Sequence, residues 1–207
     1  MPDLRGVPPG RAGRLWLTAR LHAAEHAAEL LQRKLRLLGA ERERLAAHLA
    51  RAEARWRDAW RMAVTWSARA AALGGPRERR LSAPPVTATV TIAWQGPMGV
   101  RYPQLSACVP AIAADDTRAP GTAALLEAAT AYRDALAAAA EHATTRAAVH
   151  VIDAEISATR RRVRAITDRR IATLTRILQD RIRDLDEEER AYAARLRWAA
   201  DHRPLPG

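Results

Sequence analysis

All 12 prolines of this 207-residue chain fall outside two long stretches, residues 11–75 and 122–203. Proline inside a helix removes a backbone donor and clashes with the preceding turn, at a cost of about 3 kcal/mol. Two proline-free runs of this length, rich in Ala, Leu, Arg and Glu, predict two very long helices. Glycine is as scarce: only Gly13 and Gly39 interrupt the first run before Gly74, and none interrupts the second. The expected fold class is all-α dominated. N- and C-terminal helices form an antiparallel two-helix coiled coil, with a short β-hairpin and loop between them. The expected boundaries are a tail over 1–13, helix over 14–75, hairpin and loop over 76–121, helix over 122–203 and a tail over 204–207. Such a chain is a rod, and rods transmit or span more often than they catalyse.

The first helix carries a heptad signal. Steps of four and three from Leu17 pass through Leu21, Ala24, Ala28, Leu31, Leu35, Leu38, Arg42, Leu45, Leu49, Ala52, Trp56, Ala59, Ala63, Trp66, Ala70 and Leu73. Only Arg42 breaks the apolar series, and a period of 3.5 keeps that stripe facing a partner helix. At 1.5 Å per residue, residues 14–73 would span roughly 90 Å. The second helix keeps another beat: Ile152, Val163, Leu174, Leu185 and Leu196 recur every eleven residues. That repeat is 3.67 residues per turn and opposes the heptad tendency, so a nearly straight or locally unwound pair is expected. Exposed faces offer Arg183 with Glu187 and Asp186 with Arg190 as solvated ion pairs.

Between the helices the grammar changes. Gly74-Gly75-Pro76 is a helix stop. Residues 86–94 alternate β-branched and small side chains and read as a strand. Residues 95–99 read as a turn, and residues 100–102 as a return strand ended by Pro103. An isolated hairpin is marginal in water, so this one should lean on the coiled coil or on a partner. Asp115-Asp116 through Pro120-Gly121 read as a flexible loop.

Alanine dominates the apolar share and Phe is absent, which suits close helix zipping better than a thick interior. There is no uncharged apolar run of 18 residues, so a membrane span is excluded. The first 14 residues lack the apolar core of a signal peptide, so an intracellular protein is expected. Cys108 is the single cysteine, which excludes internal disulfides and cysteine metal clusters. The net charge of +11 is uneven: +9 over residues 1–80, −1 over 81–150 and +3 over 151–207. A basic helix can meet phosphate, anionic lipid or an acidic protein cavity.

His22, Glu25 and His26 match the spacing of an inverted zinc-protease motif, yet they fall off the apolar seam and read as surface residues. No metal site or cofactor is expected. Arg160, Arg161, Arg162 and Arg164, with Arg169 and Arg170, form the densest basic cluster, either a solvated face or a partner contact. The aromatics are not interleaved with these arginines as a base-stacking platform requires, so nucleic acid is not the expected partner. An arginine-rich coiled-coil adaptor for nucleic acid is the alternative class. Trp56, Trp60 and Trp66 read as core packing. Met98 and Gly99, at a loop tip, are the better partner-binding candidates. With no Gly-rich phosphate loop, nucleophile–base arrangement or paired-carboxylate cleft, no catalytic residue is assigned.

Three ordered blocks resemble the D subunit of the A/V-type rotary ATPases. The first is Arg14-Leu15 through Leu21, with Leu30-Leu31-Gln32-Arg33-Lys34. The second is Met98-Gly99-Val100-Arg101-Tyr102-Pro103-Gln104-Leu105. The third is Thr159-Arg160-Arg161-Arg162-Val163-Arg164-Ala165-Ile166, followed by Leu185-Asp186-Glu187-Glu188-Glu189-Arg190. Arg164 stands where the family usually has Asn, Thr167 where Glu is common, and a proline expected near Arg170 is missing. The resemblance implies a non-catalytic rotor shaft of the central stalk. Its termini would enter a hexamer of catalytic A and B subunits, while its hairpin-bearing end would bind the F-type stalk subunit and the socket subunit above the membrane ring. It would lie in the cytoplasm, peripheral to the membrane and without direct membrane insertion, coupling ATP synthesis or hydrolysis to proton or sodium transport.

Overall fold

The computed structural model describes residues 6–81, 87–111 and 121–202, with backbone alone for residues 76–81. Most of the loop expected over 115–121, and the start of the strand expected at Val86, lie outside the described residues.

The first helix, α1, spans Gly10–Leu81. It begins earlier than residue 14, since Pro8 and Pro9 alone limit it upstream. Its regular path breaks at Gly75 (φ 71°, ψ 178°), a left-handed conformation that glycine adopts without a Cβ penalty. Strands β1 (Thr89–Gln95) and β2 (Tyr102–Val109) follow as an antiparallel ribbon. Helix α2 covers Ala123–Arg164; the Thr122 hydroxyl caps it by accepting from Leu125 N at 3.3 Å. A π-helical segment, Ala165–Ile171, joins α2 to α3, Ala172–Asp201. The long N-terminal helix and the C-terminal helices pack against each other, as the fold class anticipated. Among the described residues, no helix is long and apolar enough to cross a membrane.

The chain packs as two units. One joins Met1–Leu35 to Ala158–Gly207. Its centre is Leu17, Ala24 and Leu174, flanked by Trp16, Leu21, Ile166, Ile171, Ile177 and Leu178. The other is Arg36–Ser157, where small side chains bring the backbones close. There Ala70, Ala124, Leu125 and Ala128 pack with Trp66, while Trp56 stacks on His142 at 5.1 Å and Trp60 meets Tyr132 edge-on at 6.1 Å. Trp56 and Trp66 are half-buried, as core packing requires, whereas Trp60, expected in the core, is exposed, because its ring meets only the edge of Tyr132, itself exposed.

On α1, Leu17, Ala24, Ala28, Leu38, Leu45, Ala52, Ala63 and Ala70 are buried, and Leu21, Leu31, Leu35 and Leu49 are half-buried. Leu73 is exposed, so the buried stripe stops at Ala70. Arg42, the polar residue in the stripe, donates from Nε to Asp153 Oδ1 at 3.1 Å on the facing helix. Both side chains are about half-exposed (47% and 46%), so the pair contributes roughly 0–1 kcal/mol. Such cross-helix pairs recur: Arg55 reaches Glu141 at 2.6 Å, and Arg11 reaches Glu189 at 2.7 Å. Arg183 pairs with Asp180 at 3.5 Å rather than with Glu187.

The eleven-residue beat of the second helix needs correcting. Ile152 and Leu174 are buried and Val163 and Leu185 half-buried, but Leu196 is exposed. Buried positions in α2 instead recur at seven: Ala128 and Ala135, then Thr145, Ile152 and Thr159. Leu174 comes one residue later than two further heptads would place it. A π turn holds one residue more than an α turn, and Ala165–Ile171 supplies that residue. The unwinding is therefore local, a heptad series with one insertion, rather than a mismatch spread along the helix. The Thr167 hydroxyl donates back to Val163 O at 3.0 Å, a bond that competes with regular α-helix. The three departures from the family pattern, at Arg164, Thr167 and Arg170, lie in or beside this segment.

Candidate functional site

The ribbon is the part of the molecule built by special residues. Val100 N donates to Pro97 O at 3.1 Å, closing a turn whose central residues Met98 (φ 54°) and Gly99 (φ 77°) both have positive φ. A type I′ turn requires this, and its twist matches the flanking strands. Gly96 meets a different demand: a Cβ there would lie 2.1 Å from Val100 O, so only glycine fits.

The return strand is longer than the sequence suggests, because Pro103 does not end it. Pro103 pairs with Trp94 inside β2. In a two-stranded ribbon every strand is an edge, so the missing N–H can fall on the unpaired side. A bulge between Thr91 and Ile92 then takes up one extra residue of β2.

What holds the ribbon is Tyr102, buried at the start of β2. Its hydroxyl donates to Glu41 Oε1 on α1, and Arg44 closes the triangle. Arg44 donates to the Tyr102 hydroxyl at 3.2 Å and to both Glu41 oxygens, at 2.9 and 2.7 Å. The Arg44 hydrogen bond holds the Glu41 carboxyl below its ordinary pKa, with burial opposing and the Tyr102 bond assisting. Glu41 in turn pushes the Arg44 guanidinium up. Burial, reinforced by the Glu41 carboxylate, pushes the Tyr102 phenol up. Beside this triangle, His48 and Arg55 both contact Glu141 of α2, at 3.0 and 2.6 Å. Among the described residues no buried side-chain polar atom lacks a partner, so the cluster is a closed clamp. The sequence points to a ribbon that needs support. It does not single out Glu41 and Arg44, whose spacing of three is commonplace on helices.

The candidate contact residues occupy separate places. Met98 is exposed at the tip of the turn, and a Cβ on Gly99 would meet only open space. Arg160, Arg161, Arg162 and Arg164 are exposed on the last turns of α2. Arg169 and Arg170 are exposed on the π segment. His22 and His26 are exposed, each beside a glutamate on its own helix, at 3.5 and 3.9 Å. Among the described residues no three His, Cys, Asp or Glu side chains gather as a metal site. A surface the sequence does not flag is the end of α3. Every residue from 186 to 202 is exposed, including Tyr192, Leu196 and Trp198.

Packed N- and C-terminal helices with a two-stranded β-ribbon between them define a mostly helical protein. Residues 15–201 match the family of the ATP synthase D subunit, and the chain belongs to that family, the stalk subunits of rotary ATPases. It is thus one component of an ATP synthase complex. Comparison with curated proteins gives no match.

Proposed function

We propose that this chain is the central rotor shaft of an A/V-type ATPase. It couples ATP synthesis or hydrolysis in a hexamer of A and B subunits to proton or sodium transport. The observation that carries this reading is the family match over residues 15–201, which takes in both long helices and the ribbon. The chain contributes no catalytic group; it acts by touching each catalytic pair differently and biasing its nucleotide state. The uncovered turns of α3, with Tyr192, Leu196 and Trp198, supply an apolar end that the hexamer would enclose. The ribbon and its tip, Met98 and Gly99, supply the other contact, with the F-type stalk subunit and the socket subunit. Arg160, Arg161, Arg162 and Arg164 supply a basic contact to either set of partners. Within that complex the chain lies on the cytoplasmic side of the membrane, peripheral to it.

Co-expression with A-, B- and F-type subunits tests the reading. The expected result is a stoichiometric complex whose ATP hydrolysis loses its coupling when residues 186–202 are deleted. A chain that purifies alone in the presence of those subunits would contradict it. The exposed arginines favour one competing reading, nucleic-acid binding. That reading predicts an affinity that falls steeply with salt.

A further inference from the structure

The covered face of the C-terminal helices keeps heptad steps on both sides of the π segment. From Ile152, steps of four and three pass through Ile156, Thr159, Val163 and Ile166, all buried or half-buried. From Ile171 the same steps pass through Leu174, Leu178, Arg181 and Leu185, again buried or half-buried. Between Ile166 and Ile171 the step is five, the spacing that the π turn supplies. A π turn is poorer than an α turn, so a helix free to choose would straighten here. Straightening would turn α3 by about 100° and slide it by about 1.5 Å, each residue taking the place of the next. Ile171, Leu174 and Leu178, which pack in the cluster around Leu17, would leave the seam. Arg170, Thr173, Ile177, Asp180 and Asp184 would take over the covered face. Arg170, Asp180 and Asp184 are exposed in the native register, and the two aspartates lie 3.5 and 3.9 Å from Arg183 and Arg181. Covering such charges without partners is strongly unfavourable.

We propose that Arg170, Asp180 and Asp184 form a register lock. Their charges bar the one-residue slip that would relax the π turn, and so hold α3 in a single register against the N-terminal part of α1. The lock deepens the proposed stalk role and rests on it. In a shaft under torsion this slip is the natural way to yield, because it relaxes the helix that undergoes it. Barring it makes the two helices turn together.

The register is read by cross-linking the whole chain in a Cys108→Ser background. Arg11 lies 2.7 Å from Glu189 across the two helices, and both side chains are exposed. Arg11→Cys is paired with Glu189→Cys to report the native register, and with Glu188→Cys to report the slipped one. With a short bifunctional thiol reagent, the Glu189→Cys pair is expected to react about tenfold or more faster, since one unpartnered covered charge already disfavours a register by more than that. Adding Arg170→Leu, Asp180→Leu and Asp184→Leu makes the slipped face as apolar as the native one. The preference is then expected to invert in favour of the Glu188→Cys pair. Arg170→Leu with Asp184→Leu, a milder change, is expected to give both products and carries the test if the triple variant does not fold. In the complex reconstituted from A-, B- and F-type subunits, the slipped triple variant is expected to assemble and to lose the coupling of its ATP hydrolysis. A cross-linking preference that the leucine variants leave unchanged overturns the lock and leaves the stalk role standing. A slipped register that keeps full coupling also overturns it. A wild-type chain that does not assemble removes both readings.

Discussion

The helical seam and the β-ribbon both present large apolar side chains, but they use them differently. Leu17, Leu38 and Ile152 are fully buried between helices, whereas Val90, Ile92 and Trp94 stand about half in solvent. Burial of a side chain of this size contributes about 1.5–3 kcal/mol, so the seam holds the fold and the ribbon face adds little to it. The ribbon is held at its base, where Val100, Pro103 and the Tyr102 ring are buried and the Tyr102 hydroxyl joins the polar triangle with Glu41 and Arg44. The lesson is a division of labour: apolar surface that stabilises is covered within the chain, and apolar surface left uncovered is available for recognition.

The seam is where this comparison breaks first if it is wrong. Ile152→Ala and Leu38→Ala are each expected to cost about 2–5 kcal/mol in urea denaturation, from lost transfer energy and the cavity left behind. A cost below about 1 kcal/mol would mean that the helices are not tightly zipped there.

The clamp comes next. Tyr102→Phe removes a hydrogen bond to a charged group and is expected to cost about 1.5–3 kcal/mol, in the same denaturation experiment. Because Arg44 holds the Glu41 pKa below its ordinary value, the folded chain binds that proton more weakly than the unfolded chain. Its contribution is therefore complete above the ordinary carboxylate range and is lost as pH falls through the lowered value. Glu41→Gln should flatten that part of the acid limb of stability against pH. An unchanged limb would show that the carboxylate is not gripped as the structure has it.

The π segment tests where the helices fit imperfectly. Deleting Asp168 restores a seven-residue step from Thr159 through Ile166 to Leu174. It is expected to change stability by less than about 1 kcal/mol, since Asp168 is exposed. Amide exchange over residues 165–171 should slow in the deletion, because regular α-helical bonds replace the wider π turn. A large loss of stability would show that the insertion is built into the packing.

The smallest effect is expected at the ribbon face. Trp94→Ser should shift the stability of the isolated chain by no more than about 0.5 kcal/mol in thermal melts. A loss comparable to that of Ile152→Ala would erase the contrast between seam and ribbon.

Much of this was legible in the sequence because helix grammar is local. Proline spacing and the heptads from Leu17 to Ala70 mark α1, and Gly75 marks its break. The alternation before Gln95 and the Gly96-to-Gly99 turn mark the ribbon. What escaped depends on partners distant in sequence. Pro103 is tolerated inside β2 only because the ribbon has no third strand within the described residues. The one-residue offset at Ala165–Ile171 shows only when buried positions on both sides are compared, and an even eleven-residue repeat imitates it. Tyr102 finds Glu41 across 61 positions, and no spacing rule connects them.

The rotor account has one most direct test. A probe attached at the exposed site Arg101→Cys, in a Cys108→Ser background, would be followed by single-molecule imaging. The complex would be fixed to a surface through its A and B subunits. The account predicts that the probe turns in one direction while ATP is hydrolysed and stops when ATP is withdrawn. A probe that stays still, or only fluctuates about one angle, during steady hydrolysis would contradict it.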